Sequence, residues 1–279
     1  MRIKKHSNNN KYLSTNSGIW VRDYCTSAKR YEDINSLIPQ KDFSVLLDNE
    51  LENRKGRYPS IDNENIVMRN IVIVSDGYDF ENKQEILANL PEDVFIIGTN
   101  KALKYWSLVG KKTMNYYVIN NPYVDSMSFL PERYFTKCIS STRTYLEFLK
   151  KYRGIKYTYS PVSEEGYSGL NIDSNYKIDD YRNPICAAIG LAYKFGVQKL
   201  SLFCCDNSFK DNRPGAEKLE NGLWAYPQQK VSHELIDANL YWLSTQNVEI
   251  CEHTSDYKFT NATYIKEDNI IGFFKDDNE

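Results

Sequence analysis

The chain has 279 residues, enough for one large α/β domain or for a domain with a small appendage. Hydrophobic residues make up 41%, charged residues 26% and the formal net charge is −2, which excludes wholesale disorder and a globally basic nucleic-acid binder. No apolar run reaches the roughly 18 to 20 residues that span a bilayer, the start MRIKKHSNNN has no apolar signal-peptide region, and the six cysteines form no CxxC pair, so a reducing, cytoplasmic location without a membrane span is expected.

Residues 1–31 set Arg2, Lys4, Lys5, Lys11, Arg22, Lys29 and Arg30 against Asp23, with Tyr12, Trp20, Tyr24 and Tyr31 interleaved. Basic and aromatic residues in such a mixture can grip a nucleic-acid strand by phosphate pairing and base stacking. The plainer reading, a small β-rich basic arm with IWVRDY as one strand, is preferred because short charge patterns are weak signals. Residues 32–66 carry mixed charge and the breakers Pro39, Gly56 and Pro59, with one helix or strand near FSVLLDNEL. Residues 1–66 therefore read as an N-terminal arm and lead-in, and 67–279 as the main domain.

From Arg69 onward strand and helix signals alternate. Asn70-Ile-Val-Ile-Val is a β-branched strand ending in Ser75-Asp-Gly-Tyr-Asp-Phe, and ENKQEILANL has helical spacing. Asp93-Val-Phe-Ile-Ile-Gly is a second strand, followed by Thr99, Asn100 and a helix through ALKYWSLV. Asn115-Tyr-Tyr-Val-Ile is a third, ending at Asn120 and Asn121; Lys137-Cys-Ile-Ser-Ser is a fourth, with TRTYLEFLKKY as its helix; Ile155-Lys-Tyr-Thr-Tyr is a fifth. Residues 161–181 form a long polar loop, of a length that is uncommon unless functional or mobile.

The organising stretch is NPICAAIGLAYKFGVQKLSLFCCDNSF, residues 183–209. Asn183 is a good N-cap, Pro184 fits the first helical position and Gly196 suits the helix end. Lys199-Leu-Ser-Leu-Phe-Cys-Cys is a buried strand that stops at Asp206, Asn207 and Ser208. A second long loop over 210–229 is a candidate lid, followed by the amphipathic helix VSHELIDANLYWLSTQ, a strand at Val248-Glu-Ile-Cys and a short terminal strand at 260–265. The whole predicts an α/β fold: a Rossmann-like, mostly parallel sheet with helices on both faces, preceded by the arm.

Successive strands end in Ser75/Asp76/Gly77, Thr99/Asn100, Asn120/Asn121 and Asp206/Asn207/Ser208, so parallel pairing would bring these polar ends to one edge, where open α/β sheets bind ligands. A phosphate could sit against the helix that starts at Pro184. Neither a Walker pattern nor G-x-G-x-x-G occurs, and no spacing resembles a zinc site. Of His6, His233 and His253, His233 follows the lid and is a candidate general base; the alternative is a histidine that merely decorates its helix.

The blocks IVIVSDGYDF, FIIGTNKAL, NYYVINNPYVDSM and NPICAAIGLAYKFGVQKLSLFCCDNSF resemble, in order, those of a group containing 6-hydroxymethylpterin diphosphokinase MptE-like proteins, motility accessory factor (Maf) glycosyltransferases and family 42 sialyltransferases. The resemblance covers roughly residues 69–265. In that group a Gly-x-Gly-Pro-Ser-Leu turn follows the first strand. Carried over, Ser75, Asp76, Gly77, Tyr78 and Asp79 stand at the nucleotide-binding turn, where Gly77 alone keeps the pattern: Ser75 replaces the first Gly, Tyr78 the Pro and Asp79 the Ser. Asn100 matches the polar residue after the second strand and Asp206 the Asp after the late strand. The group's His base corresponds to His233, about two positions out of register, and Tyr226 is a candidate leaving-group contact.

The resemblance implies a nucleotide-sugar-dependent glycosyltransferase with His233 and Asp206 as catalytic residues. Its nucleotide-binding set would be Ser75, Asp76, Gly77, Tyr78, Asp79, Thr99, Asn100, Asn120, Asn183, Asn207 and Tyr226, with Arg213 and Lys230 as helpers. No metal or cofactor is required beyond the donor. The acceptor would be a saccharide, or, through residues 1–31, a hydroxylated base in modified DNA. The pterin branch implies an ATP-dependent diphosphokinase instead, with magnesium on Asp76, Asp79, Asp125 and Asp206. A non-catalytic nucleotide-binding relative is the third reading.

Overall fold

Runs of Ile and Val without polar alternation are stable where both faces of a strand are covered, and the structure, a computed structural model, places them in the middle of a parallel sheet. It describes residues 4–5, 11–14, 20–22, 42–78, 80–106, 113–131, 136–161, 177–178, 180, 183–212, 214, 216–219, 222–225, 227–253, 258–266 and 269–275. The N-terminal strands β1 (Lys4–Lys5), β2 (Lys11–Ser14) and β3 (Trp20–Arg22) form an antiparallel sheet of their own. Helix α1 (Asp42–Lys55) leads into the main layer.

The alternating part runs β4 (Asn70–Val74), α2 (Phe80–Ala88), β5 (Val94–Thr99), α3 (Ala102–Trp106), β6 (Tyr116–Ile119), β7 (Lys137–Ser141), α4 (Leu146–Lys151), β8 (Lys156–Pro161) and β9 (Lys177–Ile178). It continues through α5 (Pro184–Lys194), β10 (Lys199–Phe203), the hairpin β11 (Glu217–Lys218) and β12 (Trp224–Ala225), α6 (Pro227–Ser244), β13 (Glu249–Glu252), β14 (Thr263–Tyr264) and α7 (Ile270–Phe274). The large sheet has the order β14-β13-β10-β4-β5-β6-β7-β8-β9, and every neighbouring pair in it is parallel. This is the expected Rossmann-like α/β architecture. The chain builds outward from β4 to β8 and then returns to lay β10 on the other side of β4, so the strand order reverses between β4 and β10.

The pleat divides the core in two. Ile71, Ile73, Leu200 and Leu202 face a layer formed by α5 and α6, with Ile185, Ile189, Ile236 and Leu240 buried against them. Val72, Val74, Ile96 and Phe203 face the opposite layer, where Leu87, Trp106, Phe148 and Phe274 come from α2, α3, α4 and α7. Among the described residues no helix is long and apolar enough to cross a membrane.

Local expectations change at four places, the first being β9, which falls within the loop expected over 161–181 and pairs with β8. The residues TRT ahead of α4 are a turn rather than its first turn, and their carbonyl groups are bound by α1: Asn53 Nδ2 donates to Thr142 O (2.9 Å) and Thr144 O (2.6 Å), and Asn49 Nδ2 to Pro122 O (2.9 Å) and Arg143 O (3.3 Å). Helix α6 starts at Pro227, ahead of Val231, because proline suits a first helical turn. Within the loop expected over 210–229, β11 and β12 pair as a short hairpin.

Candidate functional site

The carboxyl ends of β4 and β10 lie side by side at the reversal of strand order, and the two following loops are bound to each other. Ser75 N donates to Phe203 O (3.0 Å) and Gly77 N to Cys204 O (2.9 Å). Glycine is required at 77, since a Cβ there would stand 2.1 Å from Asp206 Oδ1 and 2.4 Å from Cys204 O. Beyond β10 the chain turns sharply: Cys204 and Asn207 hold φ values of 52° and 53°, as Asn100 holds 52° after β5. Asparagine adopts this left-handed region readily, whereas the cysteine costs on the order of 1 kcal/mol, strain that marks the loop as closely specified.

Asp206 is fully buried; its Oδ2 accepts from the Ser208 hydroxyl, and its carbonyl faces His233 Nε2. A carbonyl oxygen can only accept, so His233 carries its proton on Nε2, and any proton uptake falls to Nδ1. Burial lowers the His233 pKa, partly offset by the Asp206 carbonyl, so the ring is neutral near neutral pH. Next to His233, Ser232 pairs with the Asn183 side chain. Consecutive residues of α6 therefore join the Asp206 loop to the start of α5, where Asn183 Oδ1 caps the helix by accepting from Ile185 N (2.8 Å).

Around this centre, Asn100 Nδ2 donates to Ser75 Oγ (3.0 Å), Tyr117 OH to Asn100 O (2.8 Å) and Thr99 Oγ1 to Val74 O (3.4 Å). Asp76, Tyr78, Asn100 and Asn207 are half-buried and form the accessible part of the edge. Burial pushes the Asp76 carboxyl above its ordinary range, against the pull of its own N–H and of Lys101.

The structure thus brings together Ser75, Asp76, Gly77, Thr99, Asn100, Asp206 and His233, with Tyr78 and Asn207 on the loops beside them. Asn120 belongs to a second group further along the edge, where Asp180 Oδ2 accepts from Tyr159 OH (2.7 Å) and Asn120 Nδ2 (3.3 Å) and Asp180 O accepts from Asn183 N (2.6 Å). Asp79, Tyr226 and Arg213 lie outside the described residues, and nothing is described of the Lys230 side chain. Sequence reading missed Asp180, Tyr159 and Ser232; the one available signal was a carboxylate three positions ahead of the Asn183 cap. It also missed Glu252, fully buried at the end of β13, whose Oε1 accepts from Phe259 N (3.2 Å). Among the described residues no group of three His, Cys, Asp or Glu side chains could hold a metal ion.

The topology defines an open parallel α/β domain of the Rossmann-like class, with its polar edge at the topological switch point. In fold the chain is similar to the MAf glycosyltransferase from Magnetospirillum magneticum AMB-1, with a TM-score of 0.61 at 14% identity over 81% of this chain and 39% of that one. The chain spans about two fifths of that protein's length. Of the groups that the sequence blocks resemble, the Maf branch is thus matched in fold. No protein-family model and no curated protein matches the sequence.

Proposed function

We propose that this chain is a glycosyltransferase domain that takes a sugar from a nucleotide-sugar donor and passes it to a hydroxyl group of an acceptor saccharide. The observation that carries the reading is the bonded pair of loops at the switch point, a glycine turn at 75–78 against a buried carboxylate at Asp206, in a fold matched by a glycosyltransferase. Asp76, Tyr78, Asn100 and Asn207 contact the nucleotide, while the first N–H groups and dipole of α5 favour its phosphates. Asp206 fixes the loop that carries Asn207 and holds His233 in one tautomer.

In the transfer step the acceptor oxygen bonds to the anomeric carbon as the bond from that carbon to the phosphate oxygen breaks. The electron pair stays on the departing nucleotide, and the acceptor proton goes to Nδ1 of His233, which burial keeps neutral and able to receive it. No metal is required in this scheme, because donors preorganised around the departing phosphate supply the stabilisation.

Release of free nucleotide from CMP-, UDP-, GDP- and ADP-linked sugars, in the presence of a mixed saccharide acceptor pool, tests the reading. One donor class should turn over without added metal, and His233→Ala should lower the rate at least about a hundredfold, the scale of losing a general base. Turnover of none of the four, or of ATP with magnesium alone, would overturn it.

A further inference from the structure

We infer that Lys101 supplies the cation that pairs with a phosphate of the nucleotide-sugar donor, from a side chain lying along the carboxyl edge of the sheet between the loops after β4 and β6. This rests on the transferase reading above and adds a phosphate-binding residue to it. Lys101 directly follows Asn100, whose left-handed backbone turns the chain after β5 and whose Nδ2 donates to Ser75 Oγ (3.0 Å). Its main-chain N–H and its ammonium both pull on the Asp76 carboxyl, which ties it to the 75–78 turn. On the other side, Lys101 Nζ stands 5.8 Å from the centre of the Phe129 ring, at the end of the 3-10 helix Val124–Phe129 that follows β6. Strands β4, β5 and β6 are parallel neighbours, so the three loops leave the same edge and the ammonium is held there between two of them.

Charge balance gives this lysine its role. The segments 75–78, 99–101 and 204–208 contain two carboxylates, Asp76 and Asp206, and one cation, Lys101. A phosphate brought to such an edge is repelled unless a cation stands with it, and the α5 N-terminus offers roughly half a positive charge, less than one phosphate carries. Among the described residues Lys101 takes part in no close ion pair, so Asp76 attracts its ammonium without neutralising it in contact. The Phe129 ring steadies the cation by its face and likewise leaves the charge in place. Lys101 is half-buried, which leaves the ammonium open to a ligand at the edge. An ammonium on a flexible stem presents three N–H groups as a compact point charge, and these can follow a phosphate oxygen as its bond to the sugar breaks.

The test titrates the full chain with the CMP-, UDP-, GDP- and ADP-linked sugars, each at low and at high salt. One of the four should bind the wild-type chain, and its affinity should fall as salt screens the contact. Lys101→Gln should weaken that ligand about tenfold or more, the loss of one charge-assisted contact, and should make the salt dependence shallower. Lys101→Arg, which keeps the charge, should recover most of the loss. Lys104→Gln, at an exposed position on α3, should leave the affinity within about twofold. Unchanged affinity in Lys101→Gln, or a loss that keeps the wild-type salt dependence and is not recovered by arginine, would overturn the phosphate contact while leaving donor binding and the transferase reading intact. Binding of none of the four to the wild-type chain would overturn both.

Discussion

Gly77 sits where two loops approach so closely that a single methyl group has no room. Its virtual Cβ meets main chain, the Cys204 carbonyl at 2.4 Å, as well as the Asp206 carboxylate, so relief requires backbone movement. Gly77→Ala should therefore destabilise the fold by about 1–3 kcal/mol, the usual penalty of overpacking, and urea unfolding would measure it; a loss within error would mean that the loops are not held as described. Buried histidines set the acid limit. His253 donates from Nδ1 to Ile265 O (2.8 Å) and meets Ser201 Oγ at Nε2 (2.8 Å), and burial lowers its pKa from 6.5 to about 4. A group depressed in this direction binds its proton more readily unfolded, so its contribution is full above the unfolded value and is lost as pH falls from about 6.5 towards 4. The loss is on the order of 3 kcal/mol. His253→Gln should flatten that limb in unfolding curves recorded at pH 7 and pH 4.5, and unchanged curvature would contradict the assignment.

Helix α1 shows how an element can be located in the sequence while its type and role stay illegible: FSVLLDNEL marks a helix or a strand there, and the structure forms the helix. Its buried stripe is Leu46, Asn49, Glu50 and Asn53, at helical spacing but mostly polar, so no apolar periodicity announces it. The stripe works instead by taking up carbonyl groups of the loops after β6 and β7. Asn53→Ala leaves the Thr142 and Thr144 carbonyls unpaired while buried, a cost of about 2 kcal/mol or more. Substitution of the exposed Asp48 is the control, and equal effects at the two positions would refute the clamp. The strands β4, β5, β6 and β10, by contrast, were readable from β-branched and aromatic runs, as were the α5 cap at Asn183 and the polar strand ends. The pairing of Asp180 with Tyr159 and Asn120, and of Ser232 with Asn183, joins residues 21 to 60 positions apart. No local pattern encodes such meetings; the order of strands creates them.

At the scale of the molecule, one reversal of strand order gathers the polar strand ends, and buried ionisable groups near it give stability opposite pH dependences. Burial pushes the Glu252 carboxyl up to about 8, with the neighbouring Asp237 and Asp206 charges acting in the same direction. A carboxyl raised in this way stabilises the fold fully below its unfolded value near 4.5 and loses that contribution as pH rises through about 8, opposite to His233 and His253. Stability should therefore peak between the two limits, and Glu252→Gln should remove the alkaline decline between pH 6 and 9. Parallel curves for the two proteins would show that Glu252 does not titrate in that range. The most direct measurement of the central claim is amide hydrogen exchange of the full chain with and without each of the CMP-, UDP-, GDP- and ADP-linked sugars. The account predicts slowed exchange in the segments 75–78 and 204–208, on both sides of the switch point. Slowing confined to other parts of the sheet, with these two loops unchanged, would contradict it.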